Sequence, residues 1–294
     1  MAKFVGTGVA LITPFKKDLS VDFEALEKLV EHNISNGTEY LVISGTTGES
    51  GTITRAEKTE ITAFITKINN GRVPLVLGIG GNNTKTVIEE INSTDLSHID
   101  AILSVSPYYS KPTQEGLYQH FKAIALASPK PIILYNVPGR TSKNMLPKTT
   151  LKLARDFENI IAVKEAAGDL SQYMELLKGK PDGFHVISGD DDLALSVALA
   201  GGSGVISVIG QALPKEFSEM IRQGIDGNAK EAFKTYYDLM TITSLIFSEN
   251  NPAGIKSVLN TLEIGNNTVR LPLVEASEAL QNAIETELSN LGKR

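Results

Sequence analysis

The chain has 294 residues, of which 41% are AVILMFWYC and a further 25 are Gly; this ordinary globular composition excludes intrinsic disorder and a fibrous repeat. With 28 Lys and Arg against 34 Asp and Glu, the formal net charge is −6, which argues against nucleic acid or an anionic membrane as the main partner. Cys is absent, which removes disulfides, thiolate metal sites and a Cys nucleophile. Met1-Ala2-Lys3-Phe4-Val5-Gly6 carries no signal-type apolar region, and no run reaches the ~18 apolar residues of a membrane span, so a cytosolic address is expected.

Eight short apolar, β-rich runs follow one another at 8–12, 40–44, 74–79, 101–105, 131–135, 160–164, 184–188 and 204–208. They are nearly continuous in apolar character, as strands buried on both faces of a parallel sheet are. Segments with helical spacing lie between them. Phe23, Leu26, Val30 and Ile34 step by three or four residues and stop at Gly37. Thr54-Arg55-Ala56-Glu57 is a capping box ahead of Ile61, Phe64, Ile65 and Ile68. Leu117, Phe121 and Ile124 repeat the pattern, and Pro147 opens a helix carrying Leu151 and Leu153. Eight βα units predict an α/β fold, a (β/α)8 barrel. A doubly wound sheet is the runner-up, but no Gly-rich phosphate turn follows the first run. Beyond about 214 the strands stop, and 216–223, 228–247, 252–262 and 275–291 read as helices. The expected division is a catalytic barrel at 1–225 and a small C-terminal helical domain at 226–294.

In a barrel, chemistry collects at the carboxyl ends of the strands. The second run ends in Ser44-Gly45-Thr46-Thr47-Gly48-Glu49-Ser50, a loop whose backbone N–H groups suit an anion nest; the plainer alternative is a tight turn. Ser106-Pro107-Tyr108-Tyr109 ends the fourth, where the tyrosines are proton donors or simple packing. The fifth ends in Tyr135-Asn136-Val137-Pro138-Gly139-Arg140-Thr141, a phenol for proton transfer beside a guanidinium that suits a carboxylate; otherwise Arg140 is a surface cation. The sixth ends in Val163-Lys164-Glu165. Burial disfavours the charged form of an amine, and a neutral amine attacks carbonyls to give a Schiff base. The competing role for Lys164 is an ion pair with Glu165 or Asp190. Asp190-Asp191-Asp192 after the seventh run read as the first turn of a helix rather than a Mg²⁺ site. His32, His98, His120 and His185 lack zinc-ligand spacing, so no metal is expected. Glu49 and Glu165 are candidate facing carboxylates for a glycosidase, a reading that leaves Lys164 without a role.

Read together, these motifs resemble the dihydrodipicolinate synthase branch of the pyruvate-dependent class I aldolases and lyases. Lys164-Glu165-Ala166, Ser188-Gly189-Asp190-Asp191 and Gly204-Val205-Ile206-Ser207 belong to the match, which runs as far as Arg270-Leu271-Pro272-Leu273. The resemblance implies that Lys164 forms an imine with pyruvate and that no organic cofactor is needed. Thr46 and Thr47 would bind the pyruvate carboxylate, with the Ile206 backbone and Gly189 close by. Tyr135 would shuttle protons, linked through Thr46 to a Tyr109 supplied by a neighbouring subunit. Arg140 would hold the carboxylate of L-aspartate 4-semialdehyde, and cyclisation would give 4-hydroxy-tetrahydrodipicolinate on the route to diaminopimelate and lysine. The family implies a homotetramer built as a dimer of dimers. An N-acetylneuraminate lyase or a 2-keto-3-deoxy sugar acid aldolase is the nearest alternative, and it leaves Arg140 without a carboxylate. A catalytically dead scaffold barrel is the alternative of another kind.

Two departures stand out. The family often carries Asn-Pro-Ile-Pro-Val-Lys in the tail, whereas this chain has Asn251-Pro252-Ala253-Gly254-Ile255-Lys256; being beyond the barrel, the change is expected to alter packing rather than chemistry. The lysine-inhibitor site of sensitive members would map to Ser50, Gly51, Arg55, Lys58, Asn82, Thr86 and Tyr108. Sensitive bacterial members have His at the positions of Arg55 and Lys58 and Glu at that of Thr86. Two added cations and a lost carboxylate are expected to repel the ammonium of lysine.

Overall fold

Eight parallel strands close into a barrel in sequence order: β1 (Gly6–Ala10), β2 (Tyr40–Ile43), β3 (Leu75–Gly78), β4 (Ala101–Val105), β5 (Ile132–Asn136), β6 (Ile160–Glu165), β7 (His185–Ser188) and β8 (Gly204–Ser207). The computed structural model describes residues 3–293. Around the barrel run α1 (Phe23–Ser35), α2 (Arg55–Asn69), α3 (Thr84–Ser93), α4 (Gln114–Ala127), α5 (Pro138–Thr141), α6 (Pro147–Asp156), α7 (Leu170–Gly179), α8 (Ala194–Leu199) and α9 (Pro214–Ile225). The tail adds α10 (Ala229–Phe247), α11 (Ala253–Thr261) and α12 (Glu278–Asn290). Among the described residues no helix is long and apolar enough to cross a membrane.

Each of the eight apolar runs forms a strand. The first lies two residues earlier than the 8–12 expected. Gly6 and Thr7 pair with Gly204 and Val205 although neither is strongly apolar, and the Ile12 N–H leaves the ladder for the Gln211 side-chain oxygen at 2.8 Å. The capping box forms as expected: Glu57 N–H donates to Thr54 Oγ1 at 3.2 Å, and Thr54 N–H donates to Glu57 Oε2 at 2.8 Å. Pro147 opens α6. Arg140, just beyond the fifth run, sits on the single-turn helix α5.

Successive strand residues point to opposite faces, which sorts the apolar side chains into two groups. Ala10, Tyr40, Val42, Val76, Leu103, Ile133, Ala162 and Ile206 fill the barrel interior. Val9, Leu41, Ile43, Leu77, Ile102, Leu134, Val163 and Val205 face outward against helix residues such as Leu26, Ile65 and Phe121. The outer shell continues into the tail, where Leu239, Ile242 and Ile246 of α10 share it with Phe217 and Met220 of α9.

Closure depends on the β1–β8 seam. Gly204 holds φ +130°, and a Cβ there would stand 1.9 Å from the Gly6 carbonyl oxygen. Gly204→Ala therefore has to part the seam as well as adopt a strained backbone. The expected loss is about 3 kcal/mol or more, read as a drop in the urea midpoint with an unchanged slope.

Candidate active site

The register of β5 and β6 builds the centre of the site. Tyr135 lies opposite Lys164, and Asn136 lies opposite Glu165. Strand alternation therefore turns the first pair into the barrel and the second pair out toward the helices. Lys164 is 5% exposed, and its Nζ stands 4.5 Å over the centroid of the Tyr135 ring. Its aliphatic stem passes over Gly189, where a Cβ would stand 2.9 Å from Lys164 Cε. These residues line a pocket of about 760 Å³ with Thr46, Thr47 and Arg140.

The alternatives for Lys164 are answered by where its neighbours go. Glu165 faces outward, and its oxygens accept from Asn136 Nδ2 at 2.9 and 3.1 Å. Asn136 Nδ2 also donates to Asn144 Oδ1 at 2.7 Å, and Asn136 Oδ1 accepts the Met145 N–H at 2.9 Å. Burial, reinforced by the charge of Asp190, pushes the Glu165 carboxyl up to about 7 against the hydrogen bonds it accepts. Asp190 accepts from the Gly168 N–H and from the Tyr173 hydroxyl, each at 3.1 Å, and burial raises it too. Asp191 does not lie in the first turn of a helix, as the sequence suggested, because α8 begins only at Ala194: its carboxylate accepts the Val208 and Ile209 N–H groups, each at 3.0 Å, and fixes the segment after β8. Among the described residues Lys164 makes no ion pair, while other lysines do. Nor do Glu49 and Glu165 face each other, because Glu49 is buried against Lys256.

The loop after β2 is held from the far end of the chain. Gly48 and Glu49 N–H groups turn back onto the Gly45 and Thr46 carbonyls. Glu49 Oε1 accepts from Lys256 Nζ at 2.5 Å, with both side chains fully buried. Its Oε2 accepts the Arg270 N–H at 2.9 Å. Lys256 and Arg270 stack over the Phe15 ring, at 4.3 and 4.2 Å from its centroid. Asn251 Nδ2 donates to Thr47 Oγ1 at 3.0 Å. The tail segment expected to lie apart from the chemistry thus touches the site directly. Asn251 and Lys256 have no local sequence signal, since their partners are 204 and 207 residues away.

The remaining candidates are distributed as follows. Arg140 is exposed at the pocket mouth. Ile206 is fully buried inside the barrel in the same apolar group as Tyr135. Tyr109 is 89% exposed, with φ +70°, and does not line the pocket of its own chain. Ser50, Gly51, Arg55, Lys58, Thr86 and Tyr108 line a second cleft of about 910 Å³, which meets the first at Thr46, Tyr135 and Arg140. Asn82 is exposed outside that cleft. Lys58 is not a free cation there, because Nζ pairs with Glu90 at 2.6 Å and donates to the Gly78 carbonyl at 2.5 Å. Arg55 donates to Ser93 Oγ at 2.5 Å. Among the described residues, no group of three His, Cys, Asp or Glu is arranged to hold a metal ion.

A buried amine beside a phenol, at the carboxyl ends of the strands of a closed barrel, is the equipment of a lyase that holds a carbonyl substrate as an imine. Comparison with known proteins makes the class specific. Residues 3–291 match the model of the Dihydrodipicolinate synthetase family, and the chain belongs to that family. It is 57% identical, over the full length of both chains, to the 4-hydroxy-tetrahydrodipicolinate synthase of Flavobacterium psychrophilum. Its fold superposes on the dihydrodipicolinate synthase of Thermotoga maritima with a TM-score of 0.97 at 36% identity, covering all of both chains. For the chloride-inhibited enzyme of Acinetobacter baumannii in complex with pyruvate, the TM-score is 0.96 at 38% identity, covering 99% of this chain and 100% of that one.

Glu165 has a consequence for stability. Its folded value of about 7 lies above its ordinary 4.5, so between pH 4.5 and 7 the unfolded chain releases the proton first. This group's contribution is complete below pH 4.5 and is lost as pH rises to 7. Glu165→Gln removes that loss, and relative to the parent the variant gains up to about 3 kcal/mol between pH 4.5 and 8. Urea midpoints of the two proteins at pH 5 and pH 8 measure the difference.

Proposed function

We propose that Lys164 carries pyruvate as an imine in the synthesis of 4-hydroxy-tetrahydrodipicolinate, the reaction for which the chain's relatives are named. The observation that carries this assignment is the Tyr135–Lys164 pair, side by side on the interior face of neighbouring strands. The Lys164 amine attacks C2 of pyruvate, and loss of water leaves the imine. Tyr135, beside Lys164, takes the proton from C3, giving an enamine. C3 then bonds to the aldehyde carbon of L-aspartate 4-semialdehyde, and the amino group of that substrate attacks C2, closes the ring and releases Lys164. One water leaves overall, and no redox partner is needed.

The loop after β2 supports a carboxylate site. The Thr46 and Thr47 N–H groups donate to no backbone carbonyl among the described residues, so they are available to the carboxylate of pyruvate. Arg140, at the mouth, is the proposed holder of the semialdehyde carboxylate. The exposure of Tyr109 agrees with a role in the site of a second copy, and a homotetramer is the proposed assembly. In this reading the helices of 226–294 form a unit on the barrel that braces the site.

Lysine control is proposed to be weak. In the second cleft Glu90 is committed to Lys58 and Glu89 pairs with Lys85, which leaves Arg55 facing an incoming ammonium with no free carboxylate to offset it.

Two measurements test these assignments. Pyruvate consumption is expected to be fast with L-aspartate 4-semialdehyde and absent with N-acetylmannosamine; turnover with the sugar alone would move the chain to the sugar-acid lyases. Borohydride in the presence of pyruvate is expected to fix an adduct on Lys164, and Lys164→Ala to abolish it, whereas an adduct on another lysine would refute the assignment. In the pyruvate-consumption assay the rate is expected to stay above half at about 1 mM lysine, a concentration at which binding worth only about 4 kcal/mol would show.

A further inference from the structure

Asn251 stands between α10 and α11, outside the barrel, and is 7% exposed. Its amide makes one side-chain hydrogen bond, Nδ2 to Thr47 Oγ1 at 3.0 Å. Its Oδ1 is buried without a partner among the described residues. An unmet buried acceptor weighs against the fold and offsets part of what the Nδ2 bond contributes, so stability alone does not account for an amide at this position. The segment that carries the amide is also anchored. Lys256, on the next helix, is anchored to Glu49 and to the Thr268 carbonyl at 2.5 and 2.7 Å. Two contacts from one short tail segment therefore grip two residues of the β2 loop, Thr47 and Glu49.

The direction of the Asn251 bond matters because a hydroxyl has a single proton. With the amide donating into Oγ1, the Thr47 O–H is free to donate elsewhere. A loop threonine usually spends that proton on a nearby carbonyl, but the two carbonyls that follow Thr47 each already accept a hydroxyl from another threonine. Thr13 Oγ1 donates to the Gly48 carbonyl at 2.7 Å, and Thr52 Oγ1 to the Glu49 carbonyl at 3.1 Å. Thr47 and Asn251 both line the pocket that holds Lys164. We propose that Asn251 is a positioning residue that orients the Thr47 hydroxyl as a donor to the carboxylate of the 2-oxo acid. The inference rests on the imine reading given above. It also explains an amide rather than a carboxylate at 251: an Asp would accept the Thr47 proton and set a second negative charge beside that of the substrate.

The test is a double-mutant cycle in the full-length protein, with pyruvate as the probe. Asn251→Ala is expected to raise the half-saturating pyruvate concentration about tenfold with kcat nearly unchanged, since the lost interaction is made equally in the ground and transition states. Asn251→Asp, which keeps the shape, is expected to raise it about a hundredfold. In a Thr47→Val background Asn251→Ala is expected to add no further effect, because the hydroxyl it orients is gone. Additive effects in the cycle, or an Asp variant that binds pyruvate as well as the parent, would overturn the proposal while leaving the imine reading intact. A parent protein that yields no borohydride-trapped pyruvate adduct would instead overturn the imine reading and this inference with it.

Discussion

The site is organised by the two-residue period of parallel strands that are buried on both faces. At the carboxyl ends of β5 and β6 that period separates two kinds of polar group by a single residue step. Lys164 and Tyr135 face the interior, on the wall of the pocket of about 760 Å³, while Glu165 and Asn136 face the helices. If Glu165 faced the same way as Lys164, the two would neutralise each other and the amine would be tied up as a buried salt bridge. Turned outward, the carboxylate serves the backbone instead: through Asn136 it reaches Asn144 and Met145, which follow the short helix that carries Arg140. One register thus places Lys164 beside Tyr135 and steadies the neighbouring loop.

The second constraint comes from the tail. The Glu49–Lys256 pair is fully buried, and such a pair recovers little more than the desolvation free energy it costs. Burial also lowers the Lys256 ammonium, to about 8, although Glu49 opposes the shift. The pair is better understood as a device for placement than as a source of net stability. It fixes where the loop after β2 sits relative to α11, and Arg270 extends the attachment by donating to both carboxylate oxygens of Glu57 in the α2 capping box. The loop after β2 is thereby tied at one end to a strand and at the other to the C-terminal region.

What was legible in the sequence follows from these physical facts. Strands covered on both faces leave continuous apolar runs, so the barrel is readable, and a Lys or Tyr that ends such a run is conspicuous. The direction of a side chain at a strand end is less readable. Glu165 adjoins Lys164 in sequence and so looked like an ion-pair partner, although alternation alone turns it away. Asp191 looked like an acid in the first turn of a helix, yet its partners lie beyond the next strand at Val208 and Ile209. Asn251 and Lys256 were read only as a changed tail motif, since nothing local marks contacts that span two-thirds of the chain. Lys58 was counted as a free cation because Glu90, which neutralises it, sits on a different helix.

The changed tail motif has a steric logic of its own. A Cβ at Gly254 would stand 2.3 Å from the Ile246 carbonyl oxygen, and the Gly254 N–H donates to the Asn250 carbonyl at 3.1 Å. The proline that the family often carries here has both a Cβ and a ring, and it lacks the N–H. With glycine, the start of α11 approaches the end of α10 more closely than a proline would allow. That approach sets the position of Asn251, which lies between the two helices, and Asn251 in turn meets Thr47. A substitution outside the barrel therefore reaches Thr47, and with it the proposed carboxylate site, through backbone packing.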